Sequence, residues 1–249
     1  MTVGVRAAPA GQARRVTRRF EELDWQQTPR GEISLRRRRE PALQVDVYEV
    51  LLGEEYLMSS LFTVAEVELA RLALAELPGD DLDVVVGGLG LGYTARTVLE
   101  DPRVRRLDVV DAFGEVIGWH RRGLLPDAAV LTSDPRCRLV HDDFFALVAG
   151  GPGPDVPQRW HAVVVDVDHT PQHLLHPDHA AFYTAHGLRR LTDRLHPGGV
   201  FALWSDAAPH AGFLDTLGGV FARATAHVVP FANHLTGGTS ANTVYVART

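Results

Sequence analysis

The chain has 249 residues, enough for one large domain or for a domain with a small appendage. Hydrophobic residues make up 45% and charged residues 22%, which excludes a chain that is disordered throughout. A formal net charge of −6 argues against a general nucleic-acid binder, and the single cysteine, Cys137, excludes a disulfide framework. All 25 basic residues are arginine, which excludes Schiff-base chemistry on lysine and the lysine of a phosphate-binding P-loop.

The sequence predicts a protein that does not span a membrane. No window approaches the ~20 apolar residues of a membrane helix. Residues 1–19 hold five arginines and no acidic residue. Their mixture with glycine, alanine and proline is typical of a loose tail rather than of a secretory signal. We therefore expect a cytoplasmic location.

Residues 20–62 have the sequence pattern of a small antiparallel β-domain. Short alternating runs at 31–35, 45–50 and 55–59 are bounded by glycine and proline, which predicts three strands. The four arginines at 36–39 predict a solvated strand end, since a strand sends alternate side chains to opposite faces. A nucleic-acid patch is the alternative for this run.

The spacing of hydrophobic residues changes at Thr63 from a pattern typical of strands to one typical of a helix. Thr63 and Glu66 have the spacing of a capping box, which predicts a connecting helix over residues 63–79. From residue 80 to 249, buried strands alternate with helices, including a long helix near 178–194. This alternation predicts a Rossmann-like α/β domain with a seven-stranded, mostly parallel sheet. The last two strands lack a helix between them, which predicts an antiparallel hairpin at one sheet edge.

A run of glycines follows the first buried strand and leads into a helix. The spacing Gly88-x-Gly90-x-Gly92 differs from the GxGxxG of nicotinamide enzymes and is closer to the GxGxG loop of class I S-adenosylmethionine (SAM) enzymes. Asp111 ends the next strand, where an acid accepts hydrogen bonds from ribose hydroxyls. A structural turn and a helix N-cap are the alternatives for these two features.

Acidic residues also follow the next two strands. Asp142 and Asp143 end the third strand, where a carboxylate can accept from an adenine amino group; the start of a helix is the alternative. Asp166, Asp168 and His169 follow the fourth strand. Because open α/β sheets bind ligands at the carboxyl ends of their strands, these three are the best candidates for catalysis.

These motifs resemble the polyamine aminopropyltransferases, the spermidine synthase family. The resemblance covers most of residues 28–205 and includes a small β-domain before the main sheet. Asp166 aligns with the aspartate that opens the family's DSxDPxGP catalytic loop. Further matching segments are Asp134-Pro-Arg136 with Leu139-Val-His-Asp-Asp143, which resemble the family's DPR…LVxxDD, and then Phe182-Tyr183 and Leu195-His-Pro-Gly-Gly199.

The chain also departs from the family pattern. Gly90 stands where the family's GGGDGG loop has the aspartate that holds the donor's methionine end. The family's Tyr-His-Glu is Val64-Ala-Glu66 here, and His169 replaces the second aspartate of the catalytic loop. These changes leave open an acceptor that is a different amine or not an amine, and the first two favour a SAM-dependent methyltransferase.

The resemblance implies that a neutral amine attacks a carbon beside the sulfonium of SAM or decarboxylated SAM and releases methylthioadenosine. Asp166 would be the base, with Asp168 and His169 positioning the amine or relaying the proton. Asp111 and Asp142 would hold ribose and adenine. The resemblance further implies a homodimer and a small-molecule substrate that is an amine or a polyamine.

Two other functions stay open: a SAM-dependent methyltransferase acting on an unknown small molecule, and a non-catalytic homologue that binds an adenosine ligand. The histidines at 169, 173, 176 and 179 have spacings that occur in zinc sites, but Pro171 and Pro177 interrupt a continuous helix there. The sequence therefore predicts no metal.

Overall fold

The structure is a computed structural model that describes residues 19–150 and 156–249. The tail expected at residues 1–19 and the glycine- and proline-rich loop expected at residues 150–154 therefore lie outside the described residues, except for Arg19 and Gly150.

The N-terminal part is a four-stranded antiparallel sheet in which each strand pairs with the next along the chain. The β-structure predicted before Thr63 is confirmed, with one strand more than the three runs that the sequence singled out. The strands are β1 (Phe20–Thr28), β2 (Gly31–Glu40), β3 (Val45–Leu52) and β4 (Glu55–Ser59).

The run of four arginines forms the C-terminal end of β2 up to its penultimate residue, and its side chains are partly exposed, in agreement with the predicted strand end. Each arginine forms an ion pair with an acidic side chain of the same sheet, so the sheet neutralises the charge that the run carries. The pairs are Arg36 with Glu22, Arg37 with Glu21, Arg38 with Glu40 and Glu49, and Arg39 with Asp46.

A seven-stranded sheet with helices on both faces follows. Its strands are β5 (Leu82–Gly87), β6 (Val104–Asp111), β7 (Cys137–His141), β8 (Trp160–Val165), β9 (Leu195–Ser205), β10 (Arg223–Asn233) and β11 (Gly238–Arg248). The helices are α1 (Val64–Ala75), α2 (Tyr93–Glu100), α3 (Gly114–Arg121), α4 (Ala128–Ser133), α5 (Phe144–Gly150), α6 (Ala185–Thr192) and α7 (Ala211–Gly218), and a 3₁₀ helix spans Pro177–Ala181.

The strand order is β10-β11-β9-β8-β5-β6-β7, with parallel pairing from β9 to β7 and an antiparallel β10–β11 hairpin at the edge. The predicted fold class and edge hairpin are confirmed. Every residue of β5 is buried, because helices cover both faces of the sheet. The chain order reverses at β5, between β6 and β8, and such a point opens a crevice beyond the carboxyl ends of the strands.

Two local predictions were wrong. Thr63 precedes α1, but its side chain makes no capping hydrogen bond, and Glu66 is buried and turned into a cavity instead. The long helix expected near 178–194 is divided into the 3₁₀ helix and α6. Thr184 caps α6 by accepting a hydrogen bond from the amide of Gly187, so a new helix begins there. Among the described residues, no helix combines the length and the apolar character needed to cross a membrane.

A carboxylate of the N-terminal sheet joins it to α3. Asp24 Oδ2 accepts hydrogen bonds from the indole of Trp119 at 2.6 Å and from the guanidinium of Arg122. The Trp119 side chain is fully buried. Partial burial favours a higher pKa for Asp24, but hydrogen bonds from Arg122, Gln26 and Trp119 outweigh it and lower the pKa. This contact fixes how the N-terminal sheet sits beside the larger one.

We predict that Asp24→Ala lowers the free energy of unfolding by about 1–3 kcal/mol, because a buried indole N–H then lacks its acceptor. Urea denaturation measures the change. Gln27→Ala, an exposed position on the same strand, is the control and should change stability by less than ~0.5 kcal/mol. Equal stability of the two variants would contradict the role assigned to Asp24.

Candidate active site

A cavity of about 400 Å³ lies beyond the carboxyl ends of β5, β6 and β8. The seven-stranded sheet supplies its polar wall, and β3 and β4 supply an apolar wall. Residues lining the polar side include Gly88, Gly90, Asp111, Asp143, Asp166 and His169, and residues of the apolar side include Val50, Leu52, Leu57 and Met58. The structure thus brings together six of the nine residues predicted from the sequence.

The glycine loop approaches the neighbouring strand end closely. Gly88 has φ of +92°, and a Cβ atom there would collide with the carbonyl oxygen of Asp166. A Cβ atom on Gly90 would collide with the sulfur of Met58 from β4. Gly92, the third glycine of the motif, does not line the cavity; it precedes α2 and packs near His120. The loop therefore needs glycine for two close approaches at the site and for one packing contact outside it.

Asp111 lines the cavity and also holds the glycine loop. Its Oδ2 accepts from the amide of Leu89 and its Oδ1 from the amide of Phe113, both at 2.8 Å. Burial raises the pKa of Asp111, although these amide hydrogen bonds act in the opposite direction. A carboxylate has about four acceptor positions, so acceptor capacity is left for a ligand hydroxyl.

Of the two acids after β7, only Asp143 lines the cavity. Its carboxylate pairs with Arg30, from the turn between β1 and β2, at 2.9 Å. Partial burial favours a higher pKa for Asp143, but the amide of Ala146 and the charge of Arg30 lower it. Asp142 is exposed and accepts from the amide of Asp143. The structure therefore places Asp143, not Asp142, where a ligand can reach it.

Asp166 and Glu66 form a pair of buried carboxyl groups in the cavity wall. The hydroxyl of Thr94 donates to Asp166 Oδ2 at 2.7 Å. Burial raises the pKa of Asp166 to about 6, against the effect of the Thr94 hydrogen bond. Burial, and next the negative charge of Asp166, raise the pKa of Glu66 to about 8. Near neutral pH the pair therefore holds one proton, and the Thr94 hydrogen bond favours the ionised form of Asp166.

Sequence reasoning missed the role of Glu66 at this site. Its spacing from Thr63 matched a capping box, and that local pattern explained the residue fully. Its position in the family's Tyr-His-Glu motif was the signal that pointed to the site instead. The second carboxyl group at this site is thus Glu66 on α1, whose pKa is raised in part by the charge of Asp166.

Asp168 lies outside the cavity lining, and its carboxylate has three hydrogen-bonding partners. Its carboxylate accepts from the amide of Leu175, lies 2.8 Å from His179 Nδ1, and accepts from the hydroxyl of Tyr183 at 2.8 Å. Burial raises the pKa of Tyr183 well above its usual range, so this hydroxyl remains a donor. These contacts fasten both ends of the segment after β8, which indicates a structural role.

His169 lies at the cavity, between two acidic residues. Its Nε2 is 3.2 Å from Glu55 Oε1, and its Nδ1 is 3.7 Å from Asp206 Oδ2. Asp206 also donates its backbone amide to the carbonyl of His169 at 2.9 Å. The imidazole is therefore held between the N-terminal sheet and the end of β9.

The sequence is 33% identical over 151 residues to polyamine aminopropyltransferase 2 of Pseudomonas aeruginosa. The match covers 57% of this chain and 40% of that protein, so it spans less than half of the curated relative's length. No protein-family model matches the sequence. The resemblance to the aminopropyltransferases that the sequence indicated is confirmed.

Three solved structures share the fold. Spermidine synthase from Thermotoga maritima has a TM-score of 0.70 and 18% identity, over 91% of this chain and 72% of that one. Spermidine synthase in complex with the transition-state analogue AdoDATO has a TM-score of 0.71 and 17% identity, over 91% of this chain and 73% of that one. A probable spermidine synthase from Corynebacterium glutamicum has a TM-score of 0.60 and 17% identity, over 92% and 79%.

We predict that Glu66→Gln becomes more stable relative to the wild type as pH rises. Glu66 has a folded-state pKa of about 8 and a reference value of 4.5. The wild-type protein therefore takes up a proton when it folds at a pH between these two values. Its stability therefore falls across this range, and the fall ends above about pH 8. The glutamine variant lacks this titration.

Urea denaturation of both proteins at several pH values between 5 and 9 measures the difference. Glu68→Gln, a partly exposed position on the same helix, is the control, and its difference from the wild type should not change with pH. A constant difference for Glu66→Gln would show that Glu66 ionises normally.

We predict that Asp168→Ala lowers the free energy of unfolding by about 3–5 kcal/mol, because three buried donors lose a charged acceptor. Limited proteolysis should then cut within residues 169–182. Tyr183→Phe removes one of the three donors and should give a smaller loss. Wild-type stability with lost activity would instead support a direct catalytic role for Asp168.

Proposed function

We propose that the chain is an aminopropyltransferase-like enzyme that transfers an aminopropyl group from decarboxylated SAM, or the corresponding aminocarboxypropyl group from SAM, to an amine. The similarity to polyamine aminopropyltransferase 2 supports the class of reaction. The observation that carries the proposal is the buried Asp166 carboxyl, next to the glycine loop and in a cavity that the N-terminal sheet covers.

The adenosine half of the donor fits the glycine-loop side of the cavity. Gly88 and Gly90 let the backbone approach the ligand, and Asp111 would accept hydrogen bonds from the ribose hydroxyls. We assign the adenine contact to Asp143 in place of Asp142, because Asp143 lines the cavity and Asp142 is exposed. Gly92 would act indirectly, through the conformation of the loop.

The chemical step needs a neutral amine. The amine nitrogen attacks the carbon beside the sulfonium, the carbon–sulfur bond breaks, and its electron pair stays on sulfur. This gives methylthioadenosine and a substituted ammonium ion, whose extra proton passes to the base. Asp166 would be that base, since its carboxylate is ionised near neutral pH and lines the cavity.

Burial helps the proton transfer in two ways. An alkylamine in water has a pKa near ~10, well above that of a carboxylate. Desolvation lowers the pKa of an amine and raises that of a carboxyl. The two pKa values are therefore closer to each other inside the cavity than in water. The ionised carboxylate of Asp166 also attracts the cationic donor and acceptor. His169 would position the amine, whereas the contacts of Asp168 support a structural role.

We predict methylthioadenosine release when the protein is incubated with decarboxylated SAM, or with SAM, and with putrescine, spermidine or simple amines. With an active acceptor, Asp166→Asn should lower turnover about 10²–10⁴-fold, the usual contribution of a general base. Its affinity for methylthioadenosine should change little. Wild-type kcat/KM should rise as pH passes the pKa of Asp166, near 6, and the variant should lack this rise.

Asp142→Asn is the matched control, because this acid lies outside the cavity and the variant should keep wild-type turnover. Release of S-adenosylhomocysteine would move the chain to the methyltransferase alternative. Binding of methylthioadenosine without turnover of any amine would support the non-catalytic alternative. Wild-type turnover by Asp166→Asn would exclude Asp166 as the base and make His169 the next candidate.

The homodimer and the cytoplasmic location stay predictions from the sequence. The N-terminal sheet exposes several large apolar side chains, which supports the dimer as part of this proposal. They are Phe20, Trp25, Val45 and Tyr56.

A further inference from the structure

Two histidines and a glutamate meet at the edge of the cavity. Glu55 begins β4 of the N-terminal sheet, and His169 and His173 lie in the segment that follows β8. One ligand atom from each of the three lies within 4.8 Å of the other two. From this geometry we propose that Glu55, His169 and His173 bind a divalent transition-metal ion, zinc being the best match.

The distances agree with a shared metal ion. Zinc binds imidazole nitrogen at about 2.0–2.1 Å and carboxylate oxygen at about 2.0–2.2 Å, so neighbouring ligands of a tetrahedral site lie about 3.3–3.6 Å apart. Glu55 Oε1 is 3.2 Å from His169 Nε2 and 3.8 Å from His173 Nε2. Small side-chain adjustments would bring all three to bonding distance.

The two histidines are held beside each other before any metal binds. Thr170 and His173 exchange both backbone hydrogen bonds, at 3.1 and 3.2 Å, and close a tight turn. The Thr170 hydroxyl also accepts from the amides of Gln172 and His173. The imidazole rings of His169 and His173 are 4.8 Å apart as a result. The turn therefore reduces the ordering that metal binding requires.

Asp206 supplies the outer partner that metal-bound histidines usually have. Its Oδ2 is 3.7 Å from Nδ1 of His169, on the side of the ring away from Glu55. A carboxylate on this side of the ring favours the tautomer that presents Nε2 to the metal. Two imidazoles with one carboxylate suit zinc better than calcium or magnesium, which prefer oxygen ligands. Water would fill the fourth position, since His173 is largely exposed.

A second cluster of similar composition is a poorer site. Asp83, His161 and His196 also lie close together, at the opposite ends of the strands. There, however, the Asp83 carboxylate already forms two hydrogen bonds with Arg105, and His161 Nδ1 accepts from the amide of Asp83. In the proposed site the carboxylate of Glu55 has histidines as its ion-pair partners.

A metal at this position would join the N-terminal sheet to the segment after β8 at the cavity edge. The proposal does not rest on the aminopropyl transfer, because metal binding is measured without substrate. It replaces the expectation, drawn from the sequence, that no metal binds. That expectation considered the histidine spacing and the prolines that interrupt a helix, and it could not place Glu55 beside the histidines.

We expect the untagged chain, treated with chelator and dialysed, to bind one Zn²⁺ in calorimetric titration. His173→Ala and Glu55→Gln should each weaken binding by at least about tenfold, and Asp206→Asn by about 10-fold or more as an outer partner. X-ray absorption of the zinc-loaded protein should show only nitrogen and oxygen ligands, at about 2.0–2.1 Å.

The controls are His186→Ala, an exposed histidine on α6, and His161→Ala, from the second cluster; both should bind zinc as the wild type does. Circular dichroism verifies that every variant is folded. Absence of stoichiometric zinc binding in the wild type would overturn the proposal. Unchanged affinity in His173→Ala and Glu55→Gln would do so as well, and loss of binding in His161→Ala would assign the metal to the second cluster.

Discussion

The site depends on the close contact between the ends of β5 and β8. Gly87 accepts a hydrogen bond from the amide of Asp166 at 2.8 Å, and Gly88 donates to the carbonyl of Val110 at 2.9 Å. The end of β5 is thereby fixed to both neighbouring strands at the point where the strand order reverses. Because Gly88 has no side chain, the Asp166 backbone can approach it, and the Asp166 carboxyl enters the cavity.

The free-energy cost of placing the ionised Asp166 carboxylate in the cavity raises its pKa to about 6, which suits it to accept a proton near neutral pH. An isolated ionised carboxylate is strongly disfavoured in a cavity, so it either gains partners or holds a proton. Here Thr94 provides a hydrogen bond and Glu66 provides a second group that can hold the proton. The resulting pair changes its charge in the physiological range, which an exposed aspartate does not do.

The residues that sequence placed correctly are those fixed by strand ends. Asp111 and Asp166 each follow a buried apolar run, and parallel strands bring their carboxyl ends to one edge, so both could be predicted to face a ligand. Asp142 and Asp143 show the limit of that rule. The direction of a side chain within a turn depends on local hydrogen bonds, which do not appear in the order of residues.

Some charged residues gain partners in the fold that the order of residues does not show. Asp168 looked like a second catalytic acid because it is two residues from Asp166, but the tyrosine and histidine that occupy it follow only in the 3₁₀ helix and just after it. The arginine run likewise carries less free charge than its composition suggests, because acidic residues of β1, β2 and the following strand pair with it. In both cases the fold brings a partner to the charged side chain. The composition alone therefore overestimates how many charged groups are free to bind a ligand.

The thioether of Met58 has a consequence for how the two sheets respond to a ligand. Its sulfur lies 3.1 Å from the amide nitrogen of Leu91, so β4 contacts the glycine loop directly while also forming the opposite wall of the cavity. A molecule between these walls would touch both sheets. The free energy of its binding would then also oppose their separation, by ordinary mass action. The contact between the N-terminal sheet and the seven-stranded sheet would therefore be most stable when a ligand occupies the cavity.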